Sequence, residues 1–366
     1  MTIDKNSKKR EKELEEAAAQ ILTHQSRHSD DDESDETADG LALGIDVGTS
    51  KIVLAEPSGP RQKFTSQTNA FITVQNSKFT RGILKQNKIN HYVAGDNLIV
   101  YGDGAEVFGN MLNAETRRPM RHGVLNPKES SAIEIIKGIL DDLVPDAPKQ
   151  GTPLCFSIPG ATQDSETSII YHEAVLKRHL DEKGYNSRSI NEGLAVVFSE
   201  LEEENFTGIG ISAGGGMCNV CLAFLSVPVF SFSIIKGGDY IDDSVAAVTG
   251  EVSTRVRHIK EEEFDFRRSP RNEIEDALCI YYDDLIKTLV QKLKTTIGKT
   301  SKIPKMDKAI PIILSGGTVK PAGFLERFQS FLTKEKLPID ISQIRLAQDP
   351  LNATAKGALI AAMSEE

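Results

Sequence analysis

The sequence predicts an α/β protein built from two related halves, and three observations carry that reading. Each half opens with an apolar strand, a glycine turn and a returning strand: 41–47, Gly48-Thr49-Ser50 and 51–55 in the first, 208–213, Gly214-Gly215-Gly216 and 218–225 in the second. The two turns stand about 166 residues apart, a spacing of domains rather than of a short repeat array. Behind each hairpin, apolar runs of strand length alternate with longer runs of helical period.

The elements follow in order. Residues 153–158 read as a short strand stopped by Pro159-Gly160. Residues 164–183 read as a helix, with Ile169, Ile170, Ala174, Leu176 and Leu180 as candidate core positions. A second helix covers 191–201, apolar along Leu194, Val197 and Phe198. After the second hairpin, the Val227-Pro228 break precedes a strand over 229–235. Helices are predicted over 239–260 and 272–297, then a strand over 309–314. Gly316-Gly317 leads to a helix with Phe324, Leu325, Phe328 and Phe331 on one face.

Composition excludes several classes. The 366 residues suffice for two or three compact units, and no apolar stretch approaches the roughly 20 residues of a membrane span. The N-terminus lacks a basic-then-apolar signal pattern, so a soluble cytoplasmic protein is expected. The net charge is −10, and residues 1–40 carry 6 basic against 12 acidic side chains, so no broad nucleic-acid face is expected. That segment reads as a solvated helical and acidic tail, or as a tether or regulator of self-association that meets a basic or filament-binding partner; its apolar face is too narrow for a membrane anchor. Four cysteines make no disulfide framework, and Cys218 and Cys221 lie three apart on a strand, hence on opposite faces, as ordinary buried thiols. His172, Glu173 and His179 miss the spacing of a helical zinc motif.

The chemistry lies in the glycine turns. Their amides can approach an anion with no side chain in the way. Two such turns, one per half, can close on one polyphosphate, with Gly316-Gly317 facing the base or ribose. Neither a P-loop nor a strand-to-helix dinucleotide fingerprint is present.

Gly44-Ile45-Asp46-Val47-Gly48-Thr49-Ser50 resembles the first phosphate motif of the actin and heat-shock-chaperone ATPase superfamily. Asn191-Glu192-Gly193-Leu194-Ala195 is similar to its first connecting helix. Gly214-Gly215-Gly216 with Lys236-Gly237-Gly238-Asp239-Tyr240-Ile241-Asp242 resembles its second phosphate region and the G-G-D that follows. Residues 312–318 look like its adenosine motif, and Asp349-Pro350-Leu351 through Lys356-Gly357-Ala358 like its closing helix. These five motifs keep the family's order from about residue 41 onward. Tyr101-Gly102-Asp103-Gly104-Ala105 and His122-Gly123-Val124-Leu125 further resemble segments of bacterial actins of the MreB and MamK type.

The resemblance implies an actin-like two-lobed fold with duplicated ribonuclease-H-like domains and nucleotide in the interlobe cleft. The first lobe would span 41–190, with a small insert near 60–122. The second would span 191–366, with an insert near 240–305 and a C-terminal helix returning to the first. It implies ATP or ADP with Mg2+: Asp46 holds the metal through water, Gly48, Thr49, Ser50, Gly214, Gly215 and Gly216 contact phosphates, and Glu192 orients the attacking water. Gly237, Gly238, Gly316 and Gly317 would lie along the nucleotide, with Lys260 and Glu261 reaching ribose or adenine. Relatives read D-x-G-G-G-T-T-[DE] in the second phosphate motif. Here Ser212, Met217, Cys218 and Asn219 replace its first acid, two threonines and last acid. Nucleotide binding survives such changes, whereas positioned acid–base groups are worth roughly 10²–10⁴ in rate, so hydrolysis is expected to be slow or impaired. The functions that follow are a filament-forming actin-like protein, a non-polymerising nucleotide-binding adaptor or, more remotely, a small-molecule kinase.

Overall fold

The computed structural model describes residues 42–112, 116–161, 169–300, 303–304 and 308–364. The tail expected over 1–40 and the start of the helix expected at 164 lie outside them. The described residues form two compact units, 67–120 with 125–144, and 42–66 with 121–124 and 145–364.

The chain opens with β1 (Leu43–Val47), β2 (Lys51–Ser58) and β3 (Arg61–Thr68). Next come β4 (Phe71–Gln75), α1 (Lys78–Gln86), β5 (His91–Ala94), β6 (Asn97–Tyr101) and α2 (Asp103–Leu112). The two-residue strands β7 (Met120–Arg121) and β8 (Val124–Leu125) precede α3 (Ala132–Leu143). Then follow β9 (Thr152–Ile158), α4 (Ile169–Glu182), β10 (Tyr185–Asn191) and α5 (Glu192–Glu200). The second half runs β11 (Gly208–Ala213), β12 (Cys218–Phe224), β13 (Val227–Ile234), α6 (Gly238–Thr249), α7 (Ser253–Glu262) and α8 (Glu273–Lys299). It closes with β14 (Ile310–Ser315), a 3₁₀ turn (Gly317–Val319), α9 (Phe324–Glu335), β15 (Ile341–Leu346) and α10 (Ala353–Met363).

The larger unit is built on two five-stranded sheets of one topology, β10-β9-β1-β2-β3 and β13-β12-β11-β14-β15. In each, an antiparallel hairpin (β1–β2, β11–β12) leads to two parallel neighbours (β9 and β10, β14 and β15). The helices cross over. Helix α5 follows the last strand of the first sheet yet packs on the second, where a Cβ on Gly193 would stand 2.6 Å from Cys221 N. Helix α10 follows the last strand of the second sheet and packs on the first, where a Cβ on Gly44 would stand 2.5 Å from Ala355 O.

Alternation along β11 divides its two faces. Ile209, Ile211 and Ala213 join a core with Val220 and Leu222 of β12 and with Leu278, Tyr282, Leu285 and Leu289 of α8. Gly210 and Ser212 face α5. On β12, Cys218 belongs to that core while the Cys221 side chain faces Gly193, so the two buried thiols lie on opposite faces as expected. The smaller unit holds the sheet β4-β6-β5, and Ile72, Leu98 and Val100 pack against Ile83, Leu84 and Phe108 from α1 and α2.

Several expected elements are corrected. The helix expected over 239–260 is two, because Gly250 at φ 73° ends α6 in a left-handed cap. Helix α4 buries His172, Leu176, His179 and Leu180, whereas Ile170 is 79% exposed and Ala174 is also exposed. The strand expected after Pro228 includes it, since β13 is a sheet edge and a register shift at Leu222/Ala223 accommodates the approach.

Candidate functional site

Two carboxyl groups form the centre of the site. Asp46 is the penultimate residue of β1, and its Oδ1 accepts a hydrogen bond from Ser157 Oγ at 2.7 Å. Ser157 comes from the parallel neighbour β9 and also accepts the Val47 N–H at 3.0 Å, so it ties the end of β1 to the acid. Burial pushes the Asp46 carboxyl above the usual range, against the lowering effect of Ser157.

Glu192 is the first residue of α5. Its neighbour Asn191 caps the helix by accepting the N–H groups of Gly193 and Leu194 at 3.0 and 3.2 Å. The capped end is pressed onto β12 by Gly193, which buries Glu192. Its Oε2 accepts from Ser212 Oγ at 3.0 Å and from Asn219 Nδ2 at 2.8 Å. Burial first, and the charge of Asp46 second, push the Glu192 carboxyl well above its ordinary range; the two donors oppose them.

The glycine turns converge beside this pair. A Cβ on Gly216 would stand 2.5 Å from Thr49 Oγ1, and one on Gly215 would overlap Ser50 Oγ, so the 48–50 and 214–216 turns lie against each other. Thr49 Oγ1 also accepts the Gly123 N–H at 3.3 Å. Gly214 O accepts both the Gly238 N–H at 3.0 Å and Thr318 Oγ1 at 2.8 Å, while Gly215 O accepts the Asp239 N–H at 2.8 Å. Gly316, at φ 96°, accommodates the backbone of Ala213, and its N–H bonds to Pro350 O at 2.7 Å. Gly317 opens the 3₁₀ turn that carries Thr318, so the 214–216, 237–239 and 316–318 segments brace one another.

Lys260 is buried behind these turns, 2.7 Å from Asp242 Oδ1 and donating to Gly238 O at 3.1 Å. Glu261, its neighbour on α7, is exposed and lies beside Arg257. The structure therefore brings Lys260 to the glycine turns as a brace. Ser157 lies outside every motif read from the sequence, whereas Thr318 and Asp242 end two of those motifs without a role of their own there. A lone serine in an apolar strand carries no signal until the register of β9 sets it beside Val47.

Among the described residues there is no group of three or more His, Cys, Asp or Glu side chains that could hold a metal ion. A cation at Asp46 would therefore need further oxygen ligands from water or phosphate, which suits a metal that arrives with a polyphosphate. Two adjacent buried carboxyl groups with raised pKa values are also the charge arrangement that a divalent cation relieves.

A family model described as Volactin matches residues 41–362. No curated protein matches the chain. Solved structures with a similar fold include a MamK double helical filament, at TM-score 0.66 and 19% identity over 89% of this chain and 98% of that one. MreB 5 of Spiroplasma citri bound to AMPPNP matches at TM-score 0.60 and 15% identity, over 88% and 96% of the two chains. A non-polymerising MamK mutant bound to AMPPNP matches at TM-score 0.54 and 18% identity, over 88% and 98%. At these identities the likeness establishes the fold, which is the actin-like two-lobed α/β fold.

Proposed function

The chain belongs to the Volactin family, and from that premise we propose that it is an actin-like cytoskeletal protein that binds Mg-ATP at its converging glycine turns, hydrolyses it slowly and assembles head to tail into filaments. The observation that carries this reading is the convergence of the 48–50, 214–216, 237–238 and 316–317 glycine segments beside Asp46 and Glu192. The MamK filament and the AMPPNP complexes of MamK and MreB 5 support it by analogy of fold.

In this reading Asp46 holds the metal through water. Gly48, Thr49 and Ser50 contact phosphates from one side, and Gly214, Gly215 and Gly216 from the other. Gly237, Gly238, Gly316 and Gly317 lie along the nucleotide, Lys260 braces Gly238, and Glu192 orients the attacking water. The bound cation supplies charge neutralisation for the phosphates. Residues 41–190 and 191–366 are read as the two lobes, with inserts near 60–122 and 240–305. A heterologous contact that does not close gives an open filament, and nucleotide biases assembly through its differential affinity for two arrangements of the chain. No helix among the described residues is long and apolar enough to cross a membrane. We place the protein in the cytoplasm, where the acidic composition before residue 41 suits a basic partner.

Sedimentation across a concentration series, with and without Mg-ATP, tests the reading. Nucleotide-dependent pelleting above a critical concentration is the expected result. A monomer at all concentrations that still binds Mg-ATP would replace the filament with a nucleotide-dependent adaptor.

A further inference from the structure

The two positions at which the second phosphate motif lacks its acids are neighbours in space. Ser212 and Asn219 are directly opposite each other in the β11–β12 pair, so their side chains share one face. Both donate to the same atom, Glu192 Oε2. Neither of these bonds touches Oε1.

The orientation of the Asn219 amide is fixed from behind. Its Oδ1 accepts the Gly160 N–H at 3.0 Å, and a backbone N–H can only donate, so the amide oxygen faces Gly160 and the NH₂ group faces Glu192. Ser233 Oγ, from β13, completes the pocket between Asn219 Oδ1 and Gly160 O. A Cβ on Gly160 would stand 2.8 Å from Ser233 Oγ and 3.0 Å from Asn191 Nδ2, so a side chain there would push on both of these polar groups. An aspartate at 219 would keep the bond to Gly160 and set a second carboxylate against Oε2. Asparagine has the same shape and turns that repulsion into a hydrogen bond.

We propose that Asn219 is a positioning residue for ATP hydrolysis: with Ser212 it anchors Glu192 by Oε2, leaving Oε1 as the oxygen that accepts a hydrogen bond from the attacking water. This rests on the ATP reading above. In the reaction served, the water oxygen bonds to the γ-phosphorus and the bond from that phosphorus to the bridging oxygen breaks. ADP leaves with the electron pair, and the water's surplus proton is released to solvent with ADP and phosphate. The replaced acids thus form a neutral clamp on the water-orienting residue.

The test is a double-mutant cycle on the full-length protein, with phosphate release read in long single-turnover incubations with protein in saturating excess over Mg-ATP, and nucleotide affinity read separately. Asn219→Ala and Ser212→Ala are each expected to lower phosphate release roughly 10-fold or more, with affinity held within about 3-fold. In a Glu192→Gln background either change costs less than about 2-fold further, because its effect passes through Glu192. Ser212→Ala removes one hydroxyl and keeps the test intact should Asn219→Ala lower the melting temperature. Unchanged release in both single variants, losses that add fully to that of Glu192→Gln, or affinity that falls in step with release would overturn the proposal. A wild-type protein that binds Mg-ATP and releases no phosphate also overturns it and leaves the binding reading standing. A protein that binds no nucleotide overturns both.

Discussion

Gly44 and Gly210 occupy equivalent positions in the two sheets, each in the first strand of its hairpin, two residues before Asp46 and Ser212, and each directly beneath the backbone of a crossing helix. Gly44 pairs with Cys155 of β9 and lies under α10; Gly210 pairs with Ile313 of β14 and lies under α5. The helices themselves touch where Gly357 meets the backbone at Ala195. This contact at Gly210 fixes the start of α5, and with it Glu192, against the second hairpin.

A methyl group at either strand position has no room. A Cβ on Gly44 would stand 2.5 Å from Ala355 O and 2.7 Å from Leu359 Cα, and one on Gly210 would stand 3.0 Å from Val197 N. Gly44→Ala and Gly210→Ala are expected to destabilise by roughly 1–3 kcal/mol or more, since the obstructing atoms are backbone. Gly82, inside α1 with nothing within 4 Å of its Cβ position, is the control. There Gly82→Ala is expected to stabilise by about 0.5–1 kcal/mol through helix propensity. Denaturant melts of the three variants check the order.

Those glycines also show what was legible in the sequence. The hairpins were readable because apolar strands flank glycine turns, and Asp46, Glu192 and the turn glycines followed from the motifs around them. Strand β3 was not, since Arg61–Thr68 is polar and largely exposed and shows no alternation. The edge strand β15 shows no clean alternation either, whereas Phe71–Val74 and Leu98–Val100 of the small sheet are short, mostly apolar runs that periodicity alone does not assign. The phase of α4 was misread because apolar Ile170 is exposed while His172 is buried, an inversion that no hydrophobic pattern reports. At the site, the departures at Ser212 and Asn219 were visible as lost acids. Their joint contact with Glu192 needed the β11–β12 register.

His172 gives the fold a pH dependence. It is buried on α4, neither ring nitrogen has a hydrogen-bond partner among the described residues, and burial lowers its pKa from 6.5 to about 4. Between those values the unfolded chain takes up a proton that the folded chain refuses, so this contribution to stability is intact above about 6.5 and is lost as pH falls toward 4. The full effect is about 3 kcal/mol. His172→Leu is expected to flatten that limb of a stability–pH curve, measured by urea melts at a series of pH values. An unchanged slope would count against the burial of an uncharged ring.

Lys260 holds Asp242 where burial would otherwise oppose its charge. Burial raises the Asp242 carboxyl, and Lys260 and then Arg257 act against it. Lys260→Met leaves that carboxyl with Arg257 Nε at 3.4 Å as its nearest cation and removes the donor to Gly238 O. A loss of about 3–5 kcal/mol is expected. Adding Asp242→Asn should restore much of the stability while the Gly238 brace stays absent. If the brace matters to the site, the double variant melts near wild type yet binds Mg-ATP more weakly. Wild-type affinity in that variant would restrict Lys260 to a structural role.

Asp46 sets stability against binding. With no cation beside it, the carboxylate carries a desolvation cost that Ser157 only partly offsets, and its charge adds to the cost of Glu192. Both carboxyl groups are raised in the folded state, so the folded chain binds more protons than the unfolded one above their ordinary range, and their contribution to stability falls as pH rises. Asp46→Asn keeps the shape and removes the charge. In the absence of nucleotide it is expected to melt at or above the wild-type temperature at pH 8 and to show a flatter decline with rising pH. On the proposed reading, the same variant binds roughly 10-fold or more weakly in Mg-ATP titrations, because the charge that would meet the hydrated metal is gone. Pelleting that depends on nucleotide should fall with it. A variant that gains stability without losing Mg-ATP affinity would remove Asp46 from the metal site and leave the glycine turns to hold the phosphates without it.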